Sequence, residues 1–91
     1  WPSELAEIIY IDHFGNLFTG IRASTLATDI SITYQGRAIP RVQTFSDVAI
    51  GRPLCYENSN GLLEIAVNQG RADHTFKAQI EDVLELITTK A

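Results

Sequence analysis

Within one five-residue stretch, Asp12-His13-Phe14-Gly15-Asn16, the chain sets a carboxylate, two rings, a glycine and an amide directly after the run Ile9-Tyr10-Ile11. A carboxylate can hold a cation and an amide can read the edge of a heterocycle. The same residue types also form a hairpin turn for local hydrogen-bonding reasons. A second polar cluster, Thr44-Phe45-Ser46-Asp47-Val48, precedes Gly51-Arg52-Pro53 and carries an aromatic in a polar setting. Phe45 either folds back onto a core or offers a flat face to a planar ligand, a stack worth ~1–3 kcal/mol per base. The third cluster, Asn58-Ser59-Asn60-Gly61, leads straight into Leu62 to Gly70, so amides and a hydroxyl stand at both ends of one strand. Such groups recognise polar ligands, and they equally make Asn-Gly turns.

Catalytic constellations are not found. His13 and His74 are far apart, and neither has Cys, His or Asp at metal-ligand spacing, so no metal site is expected. No Gly-rich phosphate loop opens a helix and no Ser sits in a nucleophile elbow. The single Cys55 lies in the apolar run Leu54-Cys55-Tyr56 and reads as a small buried hydrophobe. No catalytic residue is therefore assigned, and any chemistry at these loops needs groups from elsewhere. The chain opens on Trp1-Pro2 and contains no Met, which predicts a piece of a longer protein.

Something must hold the three clusters in place, and 91 residues with 45% hydrophobic content allow one core. Net charge is -4 and the seven Lys and Arg are scattered, which argues against nucleic acid as a partner. No apolar run approaches the ~20 residues of a membrane span, and no signal sequence opens the chain. A soluble, cytoplasmic domain is expected. Short β-branched and aromatic runs separated by Gly, Asn, Asp or Pro predict seven strands: 7–12, 17–21, 30–34, 37–42, 54–57, 62–68 and 83–88. Ile30 to Tyr34 and Leu63 to Val67 alternate as strands with one face inward and one toward solvent. Gln35-Gly36 and Asn60-Gly61 read as hairpin turns. Helical pattern is confined to a turn at 23–28 and a short helix at 73–81 with Phe76 and Ile80 on one face. The fold class predicted is all-β, a small closed antiparallel barrel of seven strands with one or two helical turns, because closure removes exposed strand edges. Residues 1–6 read as the end of an upstream linker and 7–91 as the domain.

Ile9 to Leu17 and Tyr56 to Gly70, with Phe45 between them, together resemble the C-terminal domain of the S-adenosylmethionine hydroxide adenosyltransferases, relatives of the chlorinase and fluorinase enzymes. The resemblance runs from Glu7 to Ala72 and through the last strand. It implies an intact enzyme in which an N-terminal α/β domain, missing here, supplies the catalytic residues. It further implies a homotrimer whose substrate sits between the N-terminal domain of one subunit and this domain of its neighbour. The implied reaction is attack of water or hydroxide at the ribose C5′ of S-adenosylmethionine, giving adenosine and methionine, with no cofactor. Position by position, the resemblance gives Asn16 the adenine edge and Phe45 the adenine face, with Val67, Asn68 and Gln69 completing the adenine pocket. It gives Asp12 the methionine ammonium, and Ser59 and Asn60 the methionine end; Phe14 buttresses the loop. Asn60 stands where halogenating members carry Arg, which points to hydroxide and away from halide. The isolated domain is expected to be inactive. The competing expectation, from another functional class, is a barrel that mediates assembly or protein contact and uses its polar loops only as turns.

Overall fold

The computed structural model describes residues 4–25, 30–43 and 47–88, which form seven strands, one 3-10 turn and one short helix. The strands are β1 (Glu4–Ile11), β2 (Leu17–Arg22), β3 (Ile30–Tyr34), β4 (Arg37–Ile39), β5 (Pro53–Glu57), β6 (Leu62–Val67) and β7 (Glu85–Thr88), with a 3-10 turn at Ala23–Thr25 and helix α1 at Ala72–Phe76. Each predicted strand is present. β1 begins at Glu4, and β4 stops at Ile39 because Pro40 follows and has no N–H to continue a ladder. Gln35 and Gly36 both adopt positive φ (53° and 76°), the type I′ geometry whose twist suits a two-residue hairpin between β3 and β4.

The strands make two antiparallel sheets, β1-β2-β6-β5 and β4-β3-β7. The mainly-β expectation holds, whereas a closed barrel is not found among the described residues. The two sheets instead touch through isolated bridges at both edges, Glu7 with Val83 and Arg41 with Cys55. At the second edge, Cys55 N–H donates to the Pro40 carbonyl (2.8 Å) and Val42 N–H to the Cys55 carbonyl (2.9 Å). Pro40 and Pro53 flank that contact without donors, so no ladder propagates from it. At the first edge, Ile8 N–H donates to Asp82 O, Glu81 N–H to Ile8 O and Leu84 N–H to Ala6 O (2.8–2.9 Å). Register shifts in β1 on either side of Ile8 let the strand serve β2 and this segment at once.

Between the sheets lies one core containing Ile8, Leu17, Ile21, Ile32, Tyr34, Ile39, Cys55, Leu63, Ile65 and Val67. Two expectations fail here. β6 was predicted to show solvent one face, yet Glu64 is 4% exposed and Ala66 0%, so the strand is covered on both sides. The helix predicted to reach 81 ends at Phe76, because Lys77 takes a left-handed conformation (φ 51°) and the chain then extends to bond Ile8. Phe76 packs under Tyr34 with ring centroids 5.0 Å apart, while Ile80 is left 49% exposed. Tyr34 O–H donates to Asp82 Oδ2 (2.5 Å), tying β3 to the segment that precedes β7. No helix among the described residues is long and apolar enough to cross a membrane.

Candidate functional site

Register fixes which side chains share a face. Tyr10 pairs with Phe18, Phe18 with Glu64, and Glu64 with Tyr56, so these four form one row across β1, β2, β6 and β5. The next row, Leu17–Ile65–Cys55, points the opposite way into the core, with all three at 0% exposure. The Tyr10 and Phe18 rings meet edge to face at 5.4 Å, and Tyr56 O–H donates to Glu64 Oε2 at 2.6 Å. Burial, then the bond and charge of Glu64, raise the Tyr56 hydroxyl pKa, and the Asp12 carboxylate adds to the rise. Asp12 therefore lies close enough to Tyr56 for its charge to be felt on this face.

Asp12 closes β1 and organises the loop to β2. Its Oδ1 accepts the backbone N–H groups of Phe14 and Asn16, each at 2.9 Å, while the Asn16 carboxamide reaches Oδ2 only at 3.5 Å. One carboxylate oxygen is thus consumed by the turn, and the other retains capacity for a cation. Both residues are half-buried, which reduces competition from water. The loop is anchored from below by a segment remote in sequence. Arg71 donates from Nη1 to the His13 carbonyl (3.1 Å) and grips Asp73 through Nε and Nη2 (3.1 and 3.0 Å), while Asp73 N–H donates to Gly15 O (2.9 Å). The bond from Arg71 lowers the Asp73 pKa. Gly15 is required: its φ is +82°, and a Cβ there would fall 2.5 Å from Asp73 Oδ1 and 2.9 Å from Arg71 Cβ.

Val67, Asn68 and Gln69 stand at the end of β6, alongside the start of β2, and so beside Asn16. Val67 is buried at 3% exposure and turns its side chain into the core, leaving only its backbone for a ligand. Asn68 knits in the loop before β5: its Nδ2 donates to Val48 O (2.9 Å), its N–H to Arg52 O, and its carbonyl accepts from Gly51. Gln69 is exposed, with φ 56°. Phe45 lies outside the described residues; Val48, further along the chain, is the residue Asn68 fastens to this end of the sheet.

Ser59 and Asn60 stand elsewhere. Their turn precedes β6, whereas Asn68 and Gln69 follow it, and the six-residue strand between them spans roughly 17 Å at ~3.3 Å per residue. Asn58 shapes that turn, its Oδ1 accepting from Asn60 N–H (2.9 Å) and Leu62 N–H (3.1 Å) and its Nδ2 donating to Glu64 Oε1 (3.3 Å). Ser59 and Asn60 are exposed. Of the described candidate residues, Asp12, Asn16, Asn68 and Gln69 thus gather at one end of β6 and Ser59 and Asn60 at the other, with Glu64 and Tyr56 between them. Sequence reasoning missed Glu64, Tyr56, Arg71 and Asp73. In the sequence Glu64 read only as an outward position in the alternation of β6. Among the described residues no group of three or more His, Cys, Asp or Glu could hold a metal ion.

Comparison with known proteins adds a frame to this geometry. A family model described as SAM hydroxide adenosyltransferase C-terminal domain matches residues 6–85. The chain is similar to a protein named (R)-S-adenosyl-L-methionine hydrolase from Thermus thermophilus, 38% identical over 66 residues, covering 72% of this chain and 25% of the relative. A protein of the same name from Salinispora tropica is 40% identical over 68 residues, covering 74% and 26%. A solved structure of a conserved hypothetical protein from Thermus thermophilus superposes with a TM-score of 0.80 at 32% identity over 96% of this chain and 38% of its own. The chain thus spans about a quarter of the length of the curated relatives.

Proposed function

The chain belongs to the SAM hydroxide adenosyltransferase C-terminal domain family, and from that premise we propose that it supplies half of a binding site for S-adenosylmethionine in a hydrolase that yields adenosine and L-methionine. The observation that carries the reading is the row Tyr10–Phe18–Glu64–Tyr56 with polar groups gathered at both ends of β6. S-Adenosylmethionine is elongated, a heterocycle at one end and an amino-acid zwitterion at the other. Laid along β6, it would meet amides at each end.

In this arrangement Asn16, the backbone of Val67, and Asn68 and Gln69 take the adenine, and Phe45 stacks on it. Asp12 offers its under-used Oδ2 to the ammonium group, and Ser59 and Asn60 hold the methionine end. Asn16 suits its role because its Oδ1 has no hydrogen-bond partner among the described residues and can accept from the adenine amino group. This chain binds and orients; the groups that activate water and align it with C5′ come from a preceding α/β domain of a neighbouring subunit in a trimer.

The experiment is a hydrolysis assay of the full-length protein on S-adenosylmethionine, with adenosine and methionine quantified, and titration with adenosine. Asn16→Ala and Phe45→Ala are each expected to weaken adenosine binding by about tenfold, the loss of one hydrogen bond or one stack. Unchanged affinity in both variants would sink the assignment. Asp12→Asn should raise KM for S-adenosylmethionine by more than it weakens adenosine binding, because it removes the charge offered to the ammonium and also the acceptor that the Asn16 carboxamide reaches.

A further inference from the structure

Glu64 lies in the middle of the proposed ligand face, yet at 4% exposure it has almost no surface to offer a ligand. Both carboxyl oxygens are already engaged, Oε2 by Tyr56 O–H at 2.6 Å and Oε1 by Asn58 Nδ2 at 3.3 Å. Glu64 is linked to the turn bearing Ser59 and Asn60 through Asn58, whose other atom, Oδ1, brackets the turn by holding the N–H groups of Asn60 and Leu62. An amide that receives on one side and donates on the other has a single rotamer satisfying both, so fixing Nδ2 fixes the turn.

We propose that Glu64 is a positioning residue for the methionine end of the site, acting through Asn58 to hold Ser59 and Asn60 at the height where they meet the amino-acid moiety. This rests on the S-adenosylmethionine reading. It deepens that reading by giving the turn that bears Ser59 and Asn60 its own determinant, Glu64 acting through Asn58, separate from the Asp12–Asn16 loop at the other end of β6. Tyr56 anchors the second oxygen and keeps the carboxyl from rotating toward solvent.

The chemistry dictates an unusual test. A glutamine at this position can satisfy both neighbours, its carbonyl accepting from Asn58 and its NH2 donating to the Tyr56 oxygen, since a hydroxyl accepts as well as donates. A leucine satisfies neither. In the full-length protein, Glu64→Leu is expected to raise KM for S-adenosylmethionine about tenfold, one lost positioning contact, while adenosine affinity stays at the wild-type value. Glu64→Gln is expected to restore KM to within about twofold, well under the effect of one hydrogen bond. Should Glu64→Leu fail to fold, Asn58→Asp replaces it, because it keeps Oδ1 for the turn while turning the donor facing Glu64 Oε1 into a repelling carboxylate oxygen, which breaks the same link; the same KM rise is expected. The inference is overturned if Gln is as damaging as Leu, which assigns the role to charge, if KM does not move, or if adenosine affinity falls in parallel. If the wild-type protein neither hydrolyses S-adenosylmethionine nor binds adenosine, the underlying reading fails first, a result visible before any variant is made.

Discussion

The two ends of β6 are held by opposite physics. At its start, the turn bearing Ser59 and Asn60 is tied down by a carboxyl buried under Tyr56 and Asn58, in a setting from which water is excluded. At its end, the loop bearing Asp12 and Asn16 is clasped by Arg71 and Asp73, whose side chains are 42% and 17% exposed. Buried hydrogen bonds are individually modest, but breaking one leaves a desolvated partner unpaired. Exposed ion pairs are screened and contribute little. One end of the face is thus rigidly specified, and the other is fastened by contacts sensitive to solution conditions.

The contrast is broken most directly at Glu64. Glu64→Ala removes the acceptor for both Tyr56 and Asn58, and urea unfolding is expected to show a loss of about 3 kcal/mol. A loss under about 1 kcal/mol, the scale of a surface substitution, would mean that the buried end is no better specified than the clasped one. Next in size is Gly15→Ala, which tests whether the clasped end depends on close approach more than on charge. The new methyl would sit 2.5 Å from Asp73 Oδ1 on a backbone at φ +82°, so both strain and displacement of the clasp are expected. About 2 kcal/mol is the anticipated cost, with Asn16-dependent adenosine binding weakened in the same variant.

The same contrast explains what the sequence made legible. Strands declared themselves because β-branched alternation and Gly or Asn turns are local signals, and Gln35-Gly36 specifies its own hairpin. Edge closure did not, because it depends on where Pro40 and Pro53 stop a ladder and on register shifts around Ile8. Asp12 to Asn16 was readable as a polar loop from spacing alone. Its clasp was not, since Arg71 and His13 are 58 positions apart and no local pattern links them. Glu64 fits an outward position in the alternation of β6. Only the registry with Tyr56 and the fold-back of Asn58 reveal that outward here does not mean solvated.

The smallest expected effect falls on the clasp itself. The bond from Arg71 holds the folded-state pKa of Asp73 below its ordinary value, with burial opposing in part. A depressed carboxyl pKa contributes stability that is fully present above the unfolded value of about 3.9 and is lost as pH falls through the lower folded value. Wild type and Asp73→Asn should therefore differ in unfolding midpoint near neutral pH, and the gap should narrow only below about pH 4, where the unfolded carboxyl takes up its proton. Above about pH 5 the gap is expected to be flat, because an ordinary carboxyl is then ionised in both states. Added salt should shrink it at neutral pH, since both partners of the pair reach solvent. Melting curves of the two proteins from acid to neutral pH, at low and high ionic strength, read this out. A gap independent of both pH and salt would mean that Asp73 holds the loop by shape and its backbone bond to Gly15, erasing the electrostatic difference between the two ends of the strand.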